Sequence, residues 1–259
     1  MNQHNMSPIS LIHSLATTNT IHEIIKEADE QDLVIWDVDG VLLIGKDRIF
    51  HSENIYSGLN QHHVEYIADK YKLSAEQRDK FLSQLLLQRQ IELVDKALPS
   101  IMSELENRHI KTIALTHFST GPLGDIKSLA DWRIDELNKL GIKFDFAFTD
   151  LIQVQVGKLK QGILFTEHHT KGDVLGAFLD IIQWKPNKVI FIDDKMEYLE
   201  SVQVELKRRN MNFIGLHYTA ALDFSCEIDE ALVKFQYEYA MQNGVWLGDQ
   251  AALEKLRNN

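Results

Sequence analysis

An apolar strand, Leu33-Val34-Ile35-Trp36, delivers two carboxylates one residue apart, Asp37 and Asp39, into a glycine turn at Gly40. In open α/β sheets the carboxyl end of a strand is where ligands bind. Strand geometry turns residues i and i+2 to the same side, so Asp37 and Asp39 can serve one site. Such a pair suits chemistry in which one carboxylate is a nucleophile or cation ligand and the other carries a proton. Asp and Gly are also ordinary turn residues, so the pair gains meaning only from partners elsewhere in the chain.

The rest of the sequence alternates strands and helices. Strands are predicted over Lys111–Thr116, Phe144–Thr149, Lys188–Ile192 and Asn212–His217. Helices are predicted over Asp131–Leu140, Gly172–Trp184, Met196–Arg209 and Ile228–Gln242, and Leu151–Phe165 reads as a hairpin excursion. Strands separated by helices imply a doubly wound parallel sheet of the Rossmann-like α/β class. Residues 1–32 read as an N-terminal lead-in, loose over residues 1–20, with a short helix at Ile21–Ala28. Residues 33–45 and 96–259 form the expected core, and 46–95 a small helical cap. Leu43 to Ser52 reads as a loop or small hairpin over the site. Within the cap, Tyr56, Leu59, Val64, Ile67 and Tyr71 recur at helical spacing. Ser74-Ala75-Glu76-Gln77 reads as a capping box opening a second helix through Ile91 and Val94, ending near Leu98-Pro99.

Three further features fall at the ends of these elements. Thr116 closes the strand Ile113-Ala114-Leu115-Thr116, where a hydroxyl and the following N–H groups, that of His117 first, suit an oxyanion. Lys171 stands at the start of a helix, beside an N-terminus that favours negative charge. Asp193 and Asp194 follow the strand Val189-Ile190-Phe191-Ile192 and would complete a carboxylate cluster suited to Mg²⁺, a hard cation that prefers oxygen. Each has an ordinary reading: a strand-terminal Thr, a solvated Lys, a helix N-cap at Asp194. Their order along one alternating α/β chain makes the combination more telling than any member.

Charge narrows the partners. The formal net charge of −11 argues against nucleic acid, whose phosphates call for a clustered basic surface. Lys207-Arg208-Arg209 closes a predicted helix, where cations complement the helix dipole. The chain has 259 residues, 44% of them hydrophobic, enough for a large core, and no run long enough to span a bilayer. The first 32 residues lack the basic start and apolar run of a secretory signal, so a cytoplasmic location is expected, with export by a signal-less route left open. The single cysteine, Cys226, is expected to be a small buried residue in a reducing compartment. His62-His63 and His168-His169 lack the third ligand of a zinc site. No Gly-x-Gly-x-x-Gly follows the first strand and no phosphate-binding P-loop occurs, which disfavours a dinucleotide-binding protein. The aspartates also fall in the wrong order for a receiver domain.

Taken together, Asp37-Val38-Asp39-Gly40-Val41-Leu42, Leu115-Thr116, Lys171 and Ile192-Asp193-Asp194 resemble, in order, the four motifs of the haloacid dehalogenase-like (HAD) hydrolase superfamily. The segments Gln161-Gly162-Ile163-Leu164-Phe165-Thr166, His217-Tyr218-Thr219 and Val245-Trp246-Leu247 are similar to a poorly characterised HAD-like branch of intracellular bacterial pathogens. The resemblance implies a Mg²⁺-dependent phosphatase in which Asp37 forms an aspartyl phosphate and Asp39 is the general acid and base. It also implies Mg²⁺ on Asp37, the Asp39 main-chain carbonyl and Asp194, with Asp193 behind, while Thr116, the His117 N–H and Lys171 hold the phosphoryl oxygens. An aspartate two residues after the nucleophile is similar to the phosphatases and phosphomutases of the superfamily, rather than to its dehalogenases or transport ATPases.

The insertions before the second and third motifs are small, which implies a partly open site and a phosphate carried on something bulky. A phosphoprotein side chain, phosphotyrosine in particular, is the substrate expected, with His117, Phe118 and Trp132 as stacking surfaces. A small-metabolite phosphatase and a catalytically silent binding scaffold are the alternatives.

Overall fold

The computed structural model describes residues 11–144, 148, 156–182, 184–224 and 227–258. Cys226 and most of the strand expected at Phe144–Thr149 lie outside them. In chain order the described elements are β1 (His13–Thr18), α1 (His22–Ile25), β2 (Leu33–Trp36), β3 (Leu43–Gly45), α2 (Ser52–Tyr56), α3 (Leu59–Tyr71), α4 (Ala75–Gln88) and β4 (Ile91–Leu93). Then follow α5 (Leu98–Asn107), β5 (Lys111–Thr116), α6 (Leu129–Lys139), β6 (Lys158–Lys160), β7 (Ile163–Phe165), α7 (Lys171–Ile181) and β8 (Lys188–Asp193). The chain closes with α8 (Met196–Arg208), β9 (Asn212–Tyr218), α9 (Glu230–Asn243) and α10 (Asp249–Arg257).

Among the described residues seven strands form one sheet in the order β1-β9-β8-β2-β5-β7-β6, parallel throughout except for the β6–β7 hairpin. Both faces are covered, as parallel sheets require. Along β2, Val34 and Trp36 enter one apolar cluster with α5 and α6, while Leu33 and Ile35 enter the other with α7 and α8. The chain leaves β2 for β5 on one side and later returns to β8 on the other. That reversal of strand order opens a crevice at the carboxyl end of β2, the usual ligand position in such sheets.

Three departures from the sequence reading have local causes. Residues 13–18 are not a loose lead-in: β1 pairs in parallel with β9 along its whole length and forms the sheet edge. Its alternation of half-buried and exposed residues carries little apolar signal. The second cap helix begins at the expected capping box, with the Ser74 side chain accepting from the Gln77 N–H. It ends earlier than expected, at Gln88, because Arg89 turns extended and Ile91–Leu93 pairs antiparallel with β3. Pro99 then lies in the first turn of α5 instead of terminating α4, the position where its missing N–H costs nothing.

The third departure concerns the helical unit. Val233, Tyr237, Ala240 and Trp246 from the C-terminal region pack with Ile49, Phe50, Val64, Ile67, Phe81 and Leu85 of the insertion. Trp246 Nε1 also donates to Asp47 Oδ2 at 2.8 Å. The insertion therefore shares its core with α9, whereas the whole of 96–259 was expected in the α/β core.

His63, in that helical core, is buried and stacked on Tyr237 with ring centroids 5.2 Å apart. Burial, with a smaller contribution from His62, lowers its pKa below the ordinary 6.5. The unfolded chain then takes up a proton near pH 6.5 that the folded chain refuses until lower pH, so folding free energy is lost as pH falls below about 6.5. Urea midpoints between pH 7.5 and 5.5 should fall less for His63→Phe than for the wild type. Parallel curves would show that His63 contributes nothing to the acid sensitivity.

Candidate active site

At the end of β2 the chain turns sharply. Gly40 has φ +83, and a Cβ there would lie 2.5 Å from Asp194 Oδ2 and 2.7 Å from Ser52 Oγ. Both the backbone and the space therefore require glycine. The turn brings Asp37 beside the end of β8, where the Asp37 N–H donates to the Ile192 carbonyl at 2.9 Å.

Lys171, the first residue of α7, reaches into this junction. Its Nζ donates to Asp37 Oδ1 and to Asp193 Oδ2, both at 2.6 Å, and all three side chains are essentially inaccessible. Asp193 Oδ1 accepts the Lys195 N–H at 2.8 Å. Asp194 Oδ2 accepts from Ser52 Oγ at 2.8 Å and lies 3.5 Å from Lys195 Nζ. Ligand atoms from Asp37, Asp193 and Asp194 fall within 4.8 Å of one another. Two oxygens, Asp37 Oδ2 and Asp194 Oδ1, are buried with no hydrogen-bond partner among the described residues.

Burial raises the Asp37 pKa to about 6, against the pull of Lys171 and helped by the charges of Asp194 and Asp39. Burial likewise raises Asp193 and Asp194. For Lys171 burial works against the charge, but Asp193 and Asp37 outweigh it and hold the ammonium above the ordinary lysine value. A cluster of three carboxylates around one ammonium, with two oxygens unpartnered, has the donor set of a hard-cation site.

Asp39 takes a different partner. Its Oδ2 accepts from Arg133 Nη2 at 2.8 Å. Arg133 Nη1 binds Glu136 Oε2 at 3.0 Å, and Glu136 in turn accepts a fork from Arg89, Nε to Oε1 at 2.9 Å and Nη2 to Oε2 at 2.8 Å. Arg133, Glu136 and Arg89 were not singled out from the sequence. The signal available was spacing: Arg133 falls among Ala130, Ile134 and Leu137 on the apolar face of α6, where a lone charge needs a buried partner.

A cavity of about 490 Å³ lies between the helical insertion and the carboxyl end of the sheet. Its polar lining includes Asp39, Ser52, Arg89, His117 and Arg133 together with Asn60, Gln61, Ser119 and Glu167, and Phe50, Ile55, Leu82, Leu86, Phe118, Leu123 and Leu129 form its apolar walls. Asp37 and Lys171 are not part of this lining. Thr116 is buried at the end of β5, next to β2, and its carbonyl accepts the Thr166 N–H at 3.0 Å. His117 stands at the mouth with Nδ1 2.8 Å from Thr166 Oγ1, its pKa lowered by burial and then by Lys171. Trp132 does not line the cavity: its ring stacks on Phe118 at 5.9 Å and carries the Arg89 guanidinium at 4.7 Å. Phe118 does line it. A depression of about 610 Å³ between α7 and α8 includes Arg209, but that charge is already paired with Asp180 and Glu205. The smaller cavity, beside the carboxylates, is the better candidate.

Over residues 15–253 the chain matches the family described as "Protein of unknown function (DUF2608)", and it belongs to that family. It is 23% identical over 247 residues to an uncharacterized protein of Rickettsia prowazekii, an alignment covering 92% of this chain and 87% of the relative. It is 24% identical over 213 residues to a Chlamydia trachomatis protein, covering 80% of this chain and 77% of the relative. That relative and one from Chlamydia muridarum, 22% identical over 253 residues, both bear the name "Putative outer membrane protein". The cytoplasmic location expected from the sequence does not stand beside those names. Among the described residues no helix is long and apolar enough to cross a membrane. No solved structure matches the chain at a significant level.

Proposed function

We propose that the protein is a HAD-type phosphomonoester hydrolase working through an aspartyl phosphate on Asp37. The observation carrying this reading is the buried junction in which Lys171 holds Asp37 and Asp193 at 2.6 Å each, with Asp194 alongside, at the carboxyl end of a parallel sheet.

In the proposed reaction an Asp37 oxygen attacks phosphorus as the bond to the leaving oxygen breaks, and Asp39, which must enter this step protonated, gives that oxygen its proton and becomes the carboxylate that pairs with Arg133. Asp39 then takes a proton from water, whose oxygen attacks phosphorus and releases inorganic phosphate and the Asp37 carboxylate. Such acid–base assistance is worth roughly 10²–10⁴-fold. Lys171 keeps the Asp37 carboxylate ionised and oriented, and Thr116 with the His117 N–H would receive the phosphoryl oxygens. The two unpartnered oxygens, on Asp37 and Asp194, fit a bound Mg²⁺ that would also use the Asp39 main-chain carbonyl, with Asp193 behind it. When bound, the cation supplies positive charge between the nucleophile and the phosphate.

The apolar walls of the 490 Å³ cavity favour a phosphate on an apolar, ring-sized group, and phosphotyrosine in a protein is the substrate we favour. Small metabolite phosphates are the second reading, favoured by the limited volume of the same cavity. Hydrolysis of p-nitrophenyl phosphate with Mg²⁺, abolished by EDTA, is the expected result. Phosphotyrosine peptides should then turn over faster than sugar phosphates. A folded wild type inactive on all of these would leave a binding scaffold, and equal rates would remove the preference for phosphotyrosine.

A further inference from the structure

Resting on the phosphatase reading, we infer that Arg133 is a positioning residue for the acid–base carboxylate, itself held through Glu136 by Arg89 at the end of the helical insertion. Four charges alternate along this line: Asp39, Arg133, Glu136, Arg89. The contacts run from 2.8 to 3.0 Å.

Burial is graded along the line. The Arg133, Arg89 and Glu136 side chains are 1%, 2% and 6% exposed, while Asp39 is 20% exposed and lines the cavity. Asp39 is thus the most exposed of the four, while Arg133 and Arg89 reach the same cavity lining with nearly all of their side-chain surface buried. A buried ion network of this kind is weak evidence for stability, because removing several charges from water offsets most of their attraction. What such a network does supply is fixed geometry. Arg133 has little freedom to move. Its guanidinium lies 4.5 Å from the centre of the Phe118 ring and 5.2 Å from that of Trp132, and both Nη groups are engaged. It binds Oδ2 of Asp39, which anchors that oxygen and so restricts the directions in which the other can exchange a proton. Catalytic groups held this way lose activity steeply when their support is loosened.

The insertion takes part through Arg89, the extended residue that follows α4. The bidentate Arg89–Glu136 pair ties the helical unit to α6, and two salt bridges further on, through Arg133, lies the proposed proton carrier. Docking of the insertion and orientation of Asp39 are thus mechanically linked. Neither Arg133 nor Arg89 belongs to the four motifs that suggested the reaction.

The test compares kcat/KM for a series of phosphomonoesters whose leaving groups differ in their need for a proton: p-nitrophenyl phosphate, phenyl phosphate and an alkyl phosphate. Arg133→Met leaves Glu136 paired with Arg89 and frees Asp39. It should lower kcat/KM by about 10²-fold or more for the alkyl ester but by less than about tenfold for p-nitrophenyl phosphate, whose leaving group needs little protonation. Arg133→Lys, which keeps a donor for Asp39, should recover part of the loss on the alkyl ester. Glu136→Gln should give a smaller effect with the same dependence on leaving group, and it serves in place of Arg133→Met should that variant not fold. Equal losses across the series, or none, would overturn the positioning role while leaving Asp37-dependent turnover intact. A folded wild type inactive on the whole series would remove the phosphatase reading and this inference with it.

Discussion

Asp37→Asn is expected to cut phosphomonoester turnover by at least about 10³-fold without unfolding the protein, the scale on which catalytic nucleophiles are lost. Asparagine is close in shape to aspartate, and its carbonyl oxygen can still accept from Lys171, which also keeps Asp193 at 2.6 Å. What disappears is a nucleophilic carboxylate and one of three crowded negative charges. Because burial lifts the Asp37 pKa to about 6, the native carboxylate is held ionised at neutral pH against its surroundings. The neutral amide relieves that strain, so thermal stability without divalent cation should be equal to or above that of the wild type. Phosphate release and thermal melting on the same preparations separate the two effects. A variant within about tenfold of the wild-type rate would remove Asp37 as the nucleophile, since general acid–base loss alone is larger. A variant that loses both activity and its melting transition would say only that the junction is structural, and Asp37→Glu would then be compared, since it keeps the carboxylate but displaces it.

How much of this was legible in the sequence depends on the range of the interaction. Alternation of apolar strands with amphipathic helices is a local signal, and β2, β5, β8 and β9 lie where the sequence predicts them to within a residue. The capping box at Ser74 is likewise local. β1 was not legible because a parallel edge strand is defined by its neighbour, here β9, two hundred residues away. The same holds for β4: Ile91 and Val94 continue a helical spacing, and only the pairing of Ile91–Leu93 with β3 makes that stretch extended. Within the site, Asp37, Lys171, Asp193 and Asp194 were named from their positions at element ends, and the fold brings them together. Asp39 was named as well, but its partner was not. Arg133 reads as one more charge on a helix until the tertiary fold buries it, and Arg89 as a charge inside the second cap helix until Glu136 is placed opposite. The sharing of the helical core between the insertion and α9 is a contact between distant segments with no local mark, although Trp246 and Tyr237 are the kind of large side chains that must be buried somewhere.

The largest stability effect should come from Lys171. Its ammonium is the common partner of Asp37 and Asp193, and neither it nor they are accessible to water. Lys171→Met keeps most of the volume of the side chain and removes the charge, which leaves two buried carboxylates facing each other and Asp194. Breaking a buried pair by removing one partner costs about 3–5 kcal/mol. For a chain of this size that corresponds to a fall in melting temperature of roughly 10 °C. The sign of the pH dependence follows from the same charges. Carboxylates raised above their unfolded values hold a proton in the folded state that the unfolded chain releases, so their destabilising effect is full at neutral pH and fades on acidification. Asp37 and Asp193 are both raised already, and without Lys171 the opposing pull is gone. The deficit of Lys171→Met relative to the wild type should therefore shrink as the pH is lowered from 7 towards 5. Asp193→Asn in the same background should recover part of the loss at pH 7, because it removes one of the two stranded charges. If Lys171 instead served only to bind substrate, as its place in the third motif alone would suggest, its removal would lower activity and leave the melting temperature unchanged at every pH. An ammonium held at 2.6 Å by two buried carboxylates argues for the first outcome, with Lys171 setting the charge and position of the nucleophile before any substrate arrives.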